Sequence, residues 1–281
     1  MSWSTPYILF LLNSFNSQFL GGCLRQNKYR LLLAVFLVGR IVLQPSLVST
    51  QAIPSLVLPD ETYSQDIYDL AQSTTVRISQ DRASGTGVII YQENGIYSVL
   101  TNWHVVETDR QLQLVTADGQ AHVPIAPPQQ LGSFDLAIVQ FESSNNYAIA
   151  TIAAEIPQVG EKIYAAGFPL YKQESTTDTI ALGIEAFRLT QGEISLVPSQ
   201  SLPEGYRLGY SNDTEIGMSG GPIFNAKGFL IGIHGRGKYR DPGFGVYTFA
   251  DGSEPNPQML EKMVNSSWGI PIDTYLQFTE N

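Results

Sequence analysis

The sequence predicts an all-β fold made of two barrel-like halves. Three observations carry that reading. Short runs rich in Val, Ile, Tyr and Thr follow one another from Thr74 onward, with turn signals between them. A connection at 153–160, carrying Pro157 and Gly160, divides these runs into two sets. Only one clear helical pattern closes the chain, at 256–264, with Met259, Leu260 and Met263 on one side.

The first set of strands is expected at 75–78, 87–91, 97–101, 111–116 and 136–141. Glu93-Asn94-Gly95 and Ala117-Asp118-Gly119 supply hairpin turns, since Asn-Gly and Asp-Gly adopt the positive φ that tight turns need. The second set is expected at 162–166, 184–195, 207–210, 222–224, 230–233 and 245–249. Asn225-Ala226-Lys227-Gly228 reads as a hairpin loop between two of them. A short helix at 66–72 precedes both sets. The organisation that follows is a leader at 1–52, a linker and short helix at 53–73, a first barrel at 74–152 and a second barrel with its helix at 153–281.

The leader is read from its order of charges. Arg25, Lys28 and Arg30 precede an eight-residue apolar run at 31–38, and Thr50-Gln51-Ala52 places small residues one and three positions before a cut at Ile53. This pattern predicts export, to the periplasm or the outside. The membrane is a partner only if the leader is retained as an anchor. Past the leader the chain is acidic: no Asp or Glu occurs before Asp60, and the whole carries a net charge of −10. Such a surface lacks the basic patch that phosphate neutralisation requires, so nucleic acid is excluded as a partner. The single cysteine, Cys23, lies in the leader, so stability in the remainder must come from its core. No His/Cys/Asp/Glu cluster has the spacing of a zinc or EF-hand site, so neither metal nor cofactor is expected.

The chemistry is expected at Gly217-Met218-Ser219-Gly220-Gly221-Pro222. Glycines let the backbone turn tightly, so the N–H groups of Gly217 and Ser219 can converge on one point where a carbonyl oxygen gains charge. The Ser219 hydroxyl is a nucleophile there only if a base activates it. Of the three histidines, His104 follows an apolar run in Leu100-Thr101-Asn102-Trp103-His104-Val105. Asp135 stands at the mouth of another run, Phe134-Asp135-Leu136-Ala137-Ile138, where a carboxylate needs a partner. His122 reads as a surface residue. Gly217 to Gly221 also fits the nucleophile elbow of α/β-hydrolases, but that fold needs its acid and histidine after the serine.

In the order His104, Asp135, Ser219 the chain resembles the chymotrypsin-like (trypsin-fold) serine peptidases, over about residues 84–270. It is most similar to bacterial branches: glutamyl endopeptidases, HtrA-type proteases and cyanobacterial trypsin-like proteins. The resemblance implies two antiparallel six-stranded β-barrels with a short C-terminal helix, a catalytic triad of those three residues in the cleft between them, and a protein or peptide substrate. It implies that the strand reaching Gly235-Arg236-Gly237 pairs with extended substrate backbone. It also implies that Thr214 and His234 recognise an acidic residue before the scissile bond. Asp213, six residues before Ser219, supports the rival basic preference. Met218 stands where trypsin-like zymogens carry the Asp of their activation salt bridge, so that device is absent. A catalytically silent binding or chaperone-like module on the same fold is the alternative.

Overall fold

The computed structural model describes residues 65–80, 83–107, 111–171, 176–240 and 245–279. The expected leader and most of the linker lie outside these. Among the described residues no helix is long and apolar enough to cross a membrane.

Helix α1 (Gln65–Thr74) runs directly into β1 (Thr75–Gln80), then β2 (Ala83–Glu93) and β3 (Ile96–Thr101). A four-residue helix α2 (Trp103–Val106) follows, then β4 (Gln113–Val115), β5 (Ala121–His122), β6 (Gln129–Gln130) and β7 (Ala137–Glu142). These strands form an antiparallel sheet of order β5-β4-β1-β2-β3-β7-β6. Five runs were read in this half and the resemblance implies six strands; the sheet has seven, since the ladders β5 and β6, only two residues long, carry no hydrophobic pattern and add to the five. The β2–β3 turn is made as the sequence predicts, with Asn94 at φ 50° and Gly95 at φ 83°.

The second half holds β8 (Lys162–Gly167), β9 (Arg188–Leu196), β10 (Leu208–Tyr210), β11 (Pro222–Asn225), β12 (Leu230–Arg236) and β13 (Ser267–Pro271). They close into a six-stranded barrel of order β10-β13-β12-β11-β8-β9. Helix α3 (Pro257–Val264) starts where Asn256 accepts a hydrogen bond from the Met259 N–H and Pro257 needs no donor partner. A further short helix, α4 (Ile272–Leu276), follows β13.

Three strand expectations are corrected. Residues 245–249 are turns, because Gly245 takes φ 67° and the Thr248 N–H closes back onto the Gly245 carbonyl. Residues 180–186 are 3₁₀ turns, so β9 starts only at Arg188. Strand β13 was not foreseen: its central Gly269 masks it, yet that glycine is required because a Cβ would stand 2.5 Å from the Ile223 side chain and 2.8 Å from the Ile233 carbonyl.

Each half has its own core. Val76, Ile78, Val99, Leu114 and Phe141 fill the first, and Ile163, Ile194, Leu208, Ile223 and Ile231 the second. A third cluster joins the halves: Val88, Leu100 and Leu136 pack with Ala166, Phe224, Ile233 and Trp268. Burial of this shared surface fixes the ends of β3 and β7 against the turn before β11.

Candidate active site

Strand β3 delivers its last residue, Thr101, to the seam between the halves. Asn102 stays extended, and the single turn of α2 then lifts His104 out, leaving its side chain 43% exposed. Asp135 sits in the turn before β7 and is 6% exposed. Its Oδ1 accepts the His104 backbone N–H at 2.8 Å, and its Oδ2 lies 2.6 Å from His104 Nδ1. The Tyr206 hydroxyl donates to the same Oδ2. The Asn102 amide donates to the Asp135 carbonyl at 2.8 Å, and the Asp135 N–H donates to the Glu204 carbonyl at 3.0 Å.

Burial opposes the charge on Asp135, but the hydrogen bonds and charge of His104, with the Tyr206 hydroxyl, outweigh it and hold the carboxyl below its ordinary value. An ionised Oδ2 makes Nδ1 the protonated nitrogen, so Nε2 is left with its lone pair free to take a proton.

Ser219 lies in a turn that only glycines permit. Gly217 has φ 98°, and a Cβ there would meet the Leu170 nitrogen and the Phe168 oxygen, each at 2.6 Å. Among the described residues, the N–H groups of Gly217 and Ser219 donate to no protein acceptor, while the N–H groups of Met218, Gly220 and Gly221 are all paired. The Ser219 hydroxyl donates to the Gly235 carbonyl at 3.2 Å rather than to the His104 imidazole.

Thr86, on β2 of the other half, holds this turn. Its N–H donates to the Ser219 carbonyl at 2.9 Å and its hydroxyl to the Gly217 carbonyl at 2.8 Å. That hydroxyl accepts from the Phe168 N–H at 3.0 Å, and the Thr101 hydroxyl donates to the Thr86 carbonyl at 2.6 Å. The N–H groups of the two peptides whose carbonyls Thr86 holds, on Met218 and Gly220, donate to the Glu215 and His234 carbonyls, so each of these peptides is held at both ends.

His104 and Ser219 line one cavity of about 490 Å³, together with Thr214, Gly217, His234, Gly235 and Gly237. His234 is 2% exposed, and its Nδ1 is hydrogen-bonded to the buried Tyr210 hydroxyl. Burial first, then the nearby His104, push its pKa down to about 3, with the Trp268 backbone carbonyl opposing. It is therefore neutral at ordinary pH. Thr214 Oγ1 lies 3.1 Å from Ser267 Oγ. Asp213 is not a lone acid on a pocket floor: its side chain is 83% exposed and pairs with Lys238 at 2.6 Å. Arg236 does not line the cavity; it folds back over the Tyr206 ring, 3.9 Å from its centroid, and pairs with Glu204. Met218 is fully buried. His122 is half-buried rather than a surface residue, with Nε2 3.0 Å from the Tyr147 hydroxyl.

Residues 85–233 match the family model of the trypsin-like peptidase domain. The chain belongs to that family. Its relatives include a probable periplasmic serine endoprotease DegP-like of Buchnera aphidicola, 30% identical over 173 residues, covering 60% of this chain and 34% of the relative. The serine protease Do-like HtrA of Bacillus subtilis is 30% identical over 192 residues, 64% of this chain and 40% of the relative. The putative serine protease HhoB of Synechocystis is 28% identical over 161 residues, 55% and 35%. The chain thus spans well under half the length of these curated relatives.

Thr86, Tyr206, Tyr210 and Lys238 were missed by reading the sequence. For Thr86 a signal existed in Gly85-Thr86-Gly87, since alternate glycines in a strand mark a close approach; a Cβ on Gly85 would lie 2.3 Å from the Val105 side chain. Tyr210 stands in an ordinary strand and Tyr206 in the turn just before it, and neither carries a local motif.

Proposed function

We propose that the chain is an exported serine endopeptidase in which Ser219 is the nucleophile, His104 the base, Asp135 its partner, and the N–H groups of Gly217 and Ser219 the oxyanion donors. The observation that carries this reading is the double hold of one carboxylate on His104, at the backbone N–H and at Nδ1. That hold fixes the tautomer in which Nε2 faces outward as a base. In the reaction, Ser219 Oγ gives its proton to Nε2 and attacks the substrate carbonyl carbon. The carbonyl oxygen becomes an oxyanion and takes the two free N–H groups. His104 then returns the proton to the leaving amine, and water repeats the sequence on the acyl-enzyme.

The proposal extends to an acidic residue before the scissile bond. Neutral His234 can still donate: a buried Tyr210 hydroxyl whose hydrogen points at Nδ1 leaves Nε2 carrying its own hydrogen. A carboxylate entering the cavity would compete with the Trp268 carbonyl for that N–H, with Thr214 as a second donor and Lys238 and Arg240 on the wall. The basic preference is disfavoured because Asp213 is already paired with Lys238. Export rests on the basic residues, apolar run and small-residue site of the first 52 residues. A silent binding module is the second reading, favoured by the Ser219 hydroxyl pointing at Gly235 rather than His104.

A fluorophosphonate probe separates the two. The expected result is labelling of Ser219, lost in Ser219→Ala, with His104→Ala and Asp135→Asn each lowering turnover at least about a thousand-fold. In a peptide library with Glu, Asp, Lys, Leu or Ala before the cut, Glu should lead, and His234→Ala should erase that lead more than it slows cleavage after Ala. No label on the wild type overturns the endopeptidase; best cleavage after Lys or Leu overturns only the specificity.

A further inference from the structure

Tyr206 has no exposed surface, and its one hydroxyl goes to the carboxylate of Asp135. The turn that carries it is built around that contact. Glu204 and Gly205 both take positive φ, 65° and 91°, a conformation that a glutamate adopts only under constraint. The turn closes through Leu202 N–H to the Tyr206 carbonyl at 2.8 Å. It packs on the residue before the acid, since a Cβ on Gly205 would come within 2.5 Å of the Phe134 ring. Its Glu204 carbonyl takes the Asp135 N–H. One short turn therefore holds Asp135 by the backbone on one side and by the carboxylate on the other.

The opposite side is cut to fit the tyrosine. A Cβ at residue 235 would stand 2.2 Å from the Tyr206 hydroxyl and 2.7–2.8 Å from its ring carbons, so glycine there leaves room for the hydroxyl to reach Asp135. Arg236 sets its guanidinium carbon 3.9 Å from the ring centroid and reaches back to Glu204, clamping the turn from above. The same Gly235 offers its carbonyl to the Ser219 hydroxyl.

We infer that Tyr206 is a positioning residue for the proposed triad: its hydroxyl fixes the Asp135 carboxylate so that both oxygens stay on His104, and Gly235 and Arg236 are shaped to seat it. The inference rests on the triad reading. Two contacts from a single residue leave the carboxylate able to swing with His104; a third donor from another segment removes that freedom. The hydroxyl also shares the charge of Oδ2. Without it the carboxylate draws more strongly on the Nδ1 proton, and the imidazolium becomes easier to form. The charged and titratable groups bearing on the pair are His104, Arg236 and Glu204, with His234 acting on the far side of His104. The Tyr206 phenol itself stays protonated across the working range, since burial and the neighbouring carboxylate raise its pKa well above its ordinary value.

The test is Tyr206→Phe in the full chain, which keeps the ring under Arg236 and removes one oxygen. Fluorophosphonate titration gives the active fraction, and kcat and KM for a peptide cleaved by the wild type are followed against pH. Expected are an unchanged labelled fraction, a kcat lower by about ten-fold, a KM within about two-fold, and an acid limb moved to higher pH. Gly235→Ala keeps the tyrosine but drives its hydroxyl off Asp135, and its kcat and acid limb should move the same way. Tyr206→Phe with kcat and acid limb unmoved overturns the inference. So does a loss accounted for entirely by a smaller labelled fraction. A wild type that neither labels at Ser219 nor cleaves peptide removes the triad and this inference together, and that outcome is visible in the wild-type arm alone.

Discussion

His234 lines the cavity of His104 and Ser219 as a buried, uncharged imidazole, and this ties its residue-scale chemistry to the pH at which the fold survives. In the unfolded chain an imidazole titrates at its ordinary 6.5; in the fold, burial and then His104 bring it to about 3. Between those values the unfolded state holds a proton that the folded state refuses. Stability is therefore whole above 6.5 and falls as the pH drops toward 3. His122, lowered first by its own burial, acts in the same sense. Asp135, depressed below 3.8, adds its loss only at more acidic pH. The expected outcome is a melting temperature that declines from pH 7.5 to 5, as the unfolding free energy falls by up to about 1.4 kcal/mol per pH unit for each such proton. His234→Gln should flatten that slope. Thermal melts at four or five pH values decide it, and an unchanged slope rules out His234 as a source.

At the scale of elements, the turn before β11 and the strand β2 work as one unit through Thr86. Thr86→Val keeps the shape and removes the hydroxyl, leaving the buried Gly217 carbonyl and Phe168 N–H without their partner. The expected cost is about 1–3 kcal/mol of stability. With the Gly217 peptide no longer held, probe labelling of Ser219 should slow by about ten-fold or more. Thr86→Ser should recover most of both. Equal labelling rates for the valine and wild-type proteins would show that the turn holds itself. This element also shows what a sequence makes legible. The proposed triad of His104, Asp135 and Ser219 could be put forward because each stands in a local pattern beside an apolar run. Nothing local distinguishes Tyr206, and the glycines beside Thr86 mark only a close approach, not its partner: each acts on a loop far away in sequence, and only the packing of the two halves brings them together. Two strand readings failed on a single glycine each. Residues 245–249 alternate like a strand but are closed by Gly245 into turns, whereas β13 looks broken by Gly269 yet is a central barrel strand.

The whole molecule is joined by more than its shared apolar cluster. Arg77, on β1, is 2% exposed and reaches into the second half. Its Nη1 donates to the Thr179 and Gly183 carbonyls at 2.8 and 2.9 Å, and its Nη2 to the Thr179 hydroxyl at 3.0 Å. Burial lowers its pKa, and Asp178 offsets this in part. A guanidinium supplies a planar fork of donors that no other side chain reproduces. Arg77→Met should remove the four hydrogen bonds the guanidinium donates to Ser84, Thr179 and Gly183 and cost about 2–4 kcal/mol, and Arg77→Lys should recover little of it. Denaturant midpoints at constant m measure this; a shift under about 0.5 kcal/mol would mean the seam does not depend on Arg77.

Because Thr86 belongs to one half and the turn it holds to the other, parting the halves would at once release the Gly217 and Ser219 carbonyls beside the proposed oxyanion donors. Heat need not melt either barrel to silence the proposed peptidase. A slip of the seam by the length of a hydrogen bond should be enough, so labelling of Ser219 is expected to fall below the melting temperature and to return on cooling. The joint acts as a resettable fuse. Variants that fill the shared cluster more tightly would raise the temperature at which it trips while leaving every residue of the cavity as it is.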